Sequence, residues 1–203
     1  MTRLAALLER AELLVAGGDR RLLGITGPPG AGKSTLAGRL VAELGPERAV
    51  LIGMDGFHLA DAELRRIGLR ERKGAPETFD RAGYLALLRR LRERSGTVYA
   101  PEFDRSIEDS IAAAVAVEES VPLVVTEGNY LLYWPEVRSV LDEIWYLDPE
   151  PAARQAALLA RHRAFGKTVE QARAWVAGSD QRNADLVASG RQAADLVLLW
   201  GDW

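Results

Sequence analysis

Between Gly24 and Thr35 the chain reads GITGPPGAGKST, which sets Gly27, Gly32, Lys33 and Ser34 at the spacing G-x-x-x-x-G-K-[ST]. Such a stretch can cradle a phosphate chain. Glycines let backbone N–H groups curl around an anion, and a helix starting behind them points its positive end at the same charge. Gly27, Pro28, Pro29, Gly30, Ala31, Gly32, Lys33, Ser34 and Thr35 make up the candidate cradle. The Lys33 ammonium can reach the outer phosphates, and the Ser34 hydroxyl can hold Mg²⁺. Two carboxylates could complete the chemistry. Asp55 ends the stretch LIGMD and Glu127 ends VVTE. A carboxylate near Mg²⁺ anchors it directly or through water, and one near a hydroxyl can take its proton as the oxygen attacks a γ-phosphate. Either can reach the metal, so the residues leave base and anchor open, and Ser34, Glu127 and Asp55 form the candidate metal set. Arg161 and Arg163 stand near a helix end marked by Gly166, from which both could fold over phosphates and neutralise charge in transfer. His58, with Asp55 and aromatic residues nearby, is a candidate substrate contact; His162 reads as structural.

These groups meet only if the elements bring them together. Five apolar runs read as strands: Leu22–Thr26, Val50–Met54, Leu123–Thr126, Ile144–Leu147 and Leu196–Trp200. Helical patterns lie between them, which predicts right-handed βαβ units and a doubly covered parallel sheet of the α/β class. In an open sheet of this kind ligands gather beyond the carboxyl ends of strands, where the glycine-rich loop, Asp55 and Glu127 all fall. If the third run lies beside the first, Glu127 comes next to Ser34. The gap at residues 56–119 is too long for a simple crossover and predicts an inserted lobe holding two helical patterns. One of these is Arg81–Arg94, capped by Asp80. A further helix is expected after Asp148-Pro149, with Asp as cap and Pro in the first turn, running toward Arg163. Thr168 and Gln171 fit the capping box of another helix, and residues 150–180 make a movable lid. At the N-terminus, Leu4, Leu7, Leu8, Ala11 and Leu14 form the stripe of a helix packed on the same single domain, residues 1–203.

A formal net charge of −3 gives no basic field to attract nucleic acid. No apolar run reaches the roughly 18 residues of a membrane span, and without cysteine there is no disulfide framework or thiolate site. A soluble, cytoplasmic protein is expected, with its oligomeric state open and a homodimer among the options. Of 26 basic residues only Lys33, Lys73 and Lys167 are lysine. A lysine that persists in so arginine-rich a chain can be serving as a compact point charge, a role a guanidinium fork does not fill. Lys73 and Lys167 are thereby marked as ligand-contact candidates, with ordinary solvated lysines as the alternative.

The ordered set GITGPPGAGKST, MDGFH, RKGAPETFD, YAPEFDR (Tyr99 to Arg105) and VVTEGNYLL resembles the phosphoribulokinase/uridine kinase/pantothenate kinase superfamily, from about Leu22 to Leu199. It is most similar to a bacterial branch of nucleoside/nucleotide kinase-like proteins often labelled as sugar-transport kinases. The resemblance implies a P-loop fold with strand order 2-3-1-4-5, the use of ATP with Mg²⁺, and phosphorylation of a hydroxyl on a small-molecule acceptor. It further implies Asp55 as base, Glu127 as the carboxylate of the third strand, and Arg161 and Arg163 as lid arginines. By the same resemblance the inserted lobe binds the acceptor, with Lys73, Glu77, Phe79, Asp80, Tyr99 and Arg105 as candidates. Tyr99 and Arg105 lead; Phe79 could fill the lobe's core and Asp80 could serve only as a cap. The nucleoside-binding stretch of typical uridine kinases and the long N-terminal extension of pantothenate kinases are missing, which leaves nucleoside, pantothenate-like compound and sugar open. The alternative is a nucleotide-gated regulatory protein with slow ATPase activity; a GTPase is disfavoured by the lack of an N-K-x-D motif.

Overall fold

Among the described residues seven strands form two sheets: β1 (Arg21–Thr26), β2 (Ala49–Gly53), β3 (Val98–Asp104), β4 (Asp109–Val117), β5 (Leu123–Glu127), β6 (Glu143–Asp148) and β7 (Leu196–Leu199). The structure is a computed structural model and describes residues 3–199. Five strands build a parallel sheet in the order β2-β5-β1-β6-β7. With the hairpin β3–β4 set apart, this is the expected 2-3-1-4-5 arrangement. β5 is buried from end to end and β1 at every residue after Arg21, as strands covered on both faces must be. Neighbouring residues serve opposite cores. Leu22, Val124 and Ile144 join the layer under the helix α4 (Arg81–Glu93), whereas Leu23, Val125 and Trp145 join the layer under α1 (Arg3–Leu14) and α2 (Lys33–Leu44).

The five expected strands are all present with ends moved by at most one residue among the described residues. Met54 opens a 3₁₀ turn, Met54–Phe57, rather than closing β2, and Trp200 lies outside the described residues. The register places Glu127 opposite Ile25 on one side and Gly53 on the other, so it stands between the ends of β1 and β2. Asp55 follows two residues after Gly53 and Gly27 two after Ile25. The candidate groups therefore share one edge of the sheet.

The inserted region holds more than the two helical patterns expected. A short helix, α3 (Asp61–Arg66), and α4 are there, with Asp80 Oδ1 accepting from the Gly83 N–H at 2.8 Å as a cap. The hairpin β3–β4 was not foreseen. α4 belongs to the sheet's own cover: its Tyr84, Leu87, Leu88 and Leu91 are buried, and Tyr84 hydrogen-bonds Thr126 of β5 at 2.6 Å. The hairpin packs on the turn after β2, where a Cβ on Gly56 would stand 2.5 Å from the Pro101 carbonyl oxygen. That approach requires glycine. Gly56→Ala is expected to cost about 1–3 kcal/mol, the usual range for overpacking a filled site. It should also loosen the seating of the hairpin. Urea denaturation checks it, and an unchanged midpoint would mean that the turn yields.

Candidate active site

The glycine-rich loop joins β1 to α2 under close restraint. A Cβ on Gly27 would fall 2.5 Å from the Leu147 carbonyl oxygen of β6, so only glycine lets the chain leave β1 here. No side chain caps α2, and its first turn holds no acidic residue, so its leading N–H groups are left for an anion. Lys33 folds back over this loop, donating to the carbonyls of Gly27 and Pro28 at 3.0 Å each. Its ammonium is buried, and burial lowers the pKa to about 8 even though Glu127 and Asp55 pull upward.

Ser34 donates its hydroxyl to Glu127 Oε1 at 3.0 Å, the juxtaposition that follows from β5 lying beside β1. Burial pushes the Glu127 carboxyl up, nearby Asp55 adds to the rise, and Lys33 and Ser34 oppose it. Two carboxylates and a hydroxyl around one buried point suit a cation, which would relieve that strain. Among the described residues no cluster of three or more His, Cys, Asp or Glu side chains could hold a metal. Ser34, together with Glu127 or Asp55, supplies donors that would suit Mg²⁺ if phosphate oxygens and water completed its shell.

Asp55 rides on the 3₁₀ turn after β2, and its Oδ2 accepts from Arg105 Nη2 at 2.9 Å across the gap to the hairpin tip. His58 anchors the same turn, its Nδ1 lying 2.8 Å from the Asp55 carbonyl oxygen. Its ring packs between Phe79, with centroids 4.0 Å apart, and Phe103, at 4.8 Å, and burial lowers its pKa.

Beyond the short α5 (Pro135–Arg138), the far wall comes from α6 (Pro151–Ala164), α7 (Val169–Trp175) and α8 (Gln181–Ala188). The expected cap of α6 needs correction. Asp148 still belongs to β6, paired with Leu199, and accepts from Arg191 Nε at 2.8 Å. The helix begins two residues later, with Glu150 as cap and Pro151 in its first turn. Thr168 and Gln171 form the expected capping box at α7. His162 bonds Asp180 at 2.7 Å and so ties α6 to the turn before α8, the structural role expected of it.

These walls enclose a cavity of about 420 Å³. Pro29, Lys33, Ser34, Asp55 and Glu127 line it from the sheet edge, and His58, Lys73, Phe79 and Arg105 line it from the inserted lobe. From the α6 side comes Arg161; Arg163 is exposed and does not line the cavity. Glu77 is turned to an ion pair with Arg72 at 2.5 Å, and Tyr99 is 59% exposed on β3; neither reaches the cavity wall. Sequence reasoning missed Arg70, Phe103, Trp175 and Asn183, which do. Phe103 sat unremarked within YAPEFDR, while Arg70 carried no local signal. The scarcity of lysine was informative, because Lys33, Lys73 and Lys167 all line this one cavity.

The sequence pattern of the phosphoribulokinase / uridine kinase family matches residues 22–198. "Putative uridine kinase C227.14" of Schizosaccharomyces pombe is 33% identical over 95% of this chain and 88% of its own length. "Uncharacterized protein YggC" of Escherichia coli is 34% identical over 88% of this chain and 77% of its own. The crystal structure of a "putative fructose transport system kinase" from Silicibacter sp. TM1040 superposes with a TM-score of 0.87 at 36% identity, covering 98% of this chain and 99% of that one. The chain thus belongs to the phosphoribulokinase / uridine kinase family of P-loop kinases.

Proposed function

We propose that this protein transfers the γ-phosphoryl group of ATP to a hydroxyl of a small metabolite. The observation that carries this reading is the meeting, in one cavity, of the phosphate loop with two carboxylates from neighbouring strand ends. Lys33 and the uncapped start of α2 hold the triphosphate by charge and by N–H donation. Mg²⁺, bound with the nucleotide, supplies charge neutralisation at the phosphates. Ser34 and Glu127, already joined by their hydrogen bond, would hold it. Asp55, the more exposed carboxylate, accepts the acceptor's proton as its oxygen is brought in line, and Arg161 draws charge from the transferring group.

Names borne by relatives mention uridine, pantothenate and a fructose transport system, so nucleosides, pantothenate-like compounds and sugars head the acceptor candidates. The test is a phosphate-transfer screen with γ-labelled ATP over pools of nucleosides, vitamins and sugars, with Asp55→Asn as blank. A labelled product in at least one pool, absent from the blank, is expected. ATP hydrolysis that no pool stimulates would point instead to the nucleotide-gated regulator.

A further inference from the structure

The lobe wall of the cavity carries a charge pattern that a neutral acceptor would leave unanswered. Lys73 is 9% exposed, donates to Asp61 Oδ1 at 2.7 Å and to the Glu108 carbonyl, and lies 5.4 Å from the centre of the Phe103 ring. Arg70 donates its Nε to the other oxygen of Asp61 at 2.6 Å. One carboxylate is thus shared by two cavity-lining cations, and by Arg65 from outside the cavity at 3.5 Å. Its position matters as much as the count: Arg70 and Lys73 line the cavity and Asp61 does not, so the anion orients the cations from behind. Arg105 adds a third cation, its guanidinium carbon 5.7 Å from the same Phe103 ring. Among the described residues its carboxylate partner is Asp55, which the proposed chemistry assigns to the acceptor hydroxyl. Glu108 lines the cavity as well, but among the described residues its carboxylate forms no ion pair with these three.

Lys73 is largely withdrawn from water, where an unanswered charge is costly, while Arg70 and Arg105 keep part of their guanidinium groups open. Beyond its bonds to Asp61 and Glu108, the Lys73 ammonium has a third N–H; the terminal nitrogens of Arg70 have no protein acceptor among the described residues. From this geometry we infer that the acceptor is itself an anion: a small hydroxyl compound bearing a carboxylate or a phosphate, gripped at that group by Arg70 and Lys73 while its hydroxyl faces Asp55. The inference rests on the kinase reading and narrows it. Arg105 serves both ends, leaving Asp55 for the incoming anion. His58, Phe79 and Phe103 bound the carbon skeleton between the two ends.

The experiment uses matched probes with the full chain in the presence of MgATP for transfer and of a non-hydrolysable MgATP analogue for calorimetric binding. Glycerate is set against glycerol, and ribose 5-phosphate against ribose. The charged member of at least one pair should bind or turn over at least tenfold better than its neutral partner, and which pair responds tells carboxylate from phosphate. Lys73→Gln and the more exposed Arg70→Gln should each raise KM for that anion tenfold or more, with a smaller change in kcat and unaltered affinity for the analogue. Either variant suffices should the other fail to fold. Equal use of charged and neutral probes, no binding of either anion, or an unchanged KM in a folded variant overturns the inference. The kinase reading stands or falls separately, on the acceptor screen and its Asp55→Asn blank.

Discussion

Asp55→Asn is expected to lower phosphoryl transfer by roughly 10²–10⁴-fold, the range supplied by a positioned general base, while nucleotide affinity stays within a few-fold of the original. The substitution keeps the shape of the side chain and removes its negative charge together with its capacity to take a proton. An asparagine oxygen can still accept from Arg105, and that pair is exposed enough (44% and 30%) that its loss costs the fold little. Two further consequences separate a base from a merely electrostatic group. Asp55 is one of the groups raising the Glu127 pKa, so removing its charge should let Glu127 ionise more readily and hold Mg²⁺ no worse. The residual transfer should also keep its Mg²⁺ requirement, as loss of a metal anchor would not allow. Transfer rates, nucleotide binding and thermal melting measured together decide the matter: near-normal turnover in the variant would remove Asp55 from the chemistry and leave Glu127 to supply the base.

The parts of this site that could be read from the chain alone are those in which motif and strand coincide. The phosphate loop and Glu127 each follow directly on a buried apolar run, and parallel pairing with β1 brings Glu127 to Ser34. The direction of side chains was much less legible. Arg161 and Arg163 are two apart on a helix, about 200° around its axis, so a wall that takes one turns the other outward. On β3 the same alternation buries Ala100 and leaves Tyr99 outside, whatever the motif around them suggests. The hairpin escaped because β4, DSIAAAVAV, is rich in alanine and mostly exposed, its branched Ile111, Val115 and Val117 too diluted by alanine to mark a strand. The start of α6 was misplaced because Asp148-Pro149 and Glu150-Pro151 offer the same cap twice over. Pairing of β6 with β7 holds Asp148 in the sheet and leaves the second pair to start the helix.

Lys33→Met is expected to reduce kcat/KM by roughly 10²–10³-fold, as loss of a preorganised charge donor commonly does. Unlike Asp55→Asn, it should weaken nucleotide binding too. The buried ammonium also gives binding a distinctive pH dependence. In the free protein its pKa is lowered from 10.5 to about 8, so between these values the unfolded chain holds the extra proton and the folded one sheds it. Stability therefore carries the cost of the buried charge in full below pH 8 and is relieved of it as the pH rises toward 10.5. Binding works in the opposite sense. The triphosphate gives the ammonium an anionic partner and raises its pKa, so above pH 8 association must take up a proton. Affinity for MgATP should then fall as the pH climbs from about 8, by at most about tenfold per unit, and the binding enthalpy should vary with the ionisation enthalpy of the buffer. Calorimetry at pH 7, 8 and 9 in two buffers tests both statements, with Lys33→Met losing the proton uptake along with the affinity. Equal affinity at pH 7 and 9 without proton uptake would mean that Lys33 keeps its contacts with Gly27 and Pro28 and never turns to the phosphates.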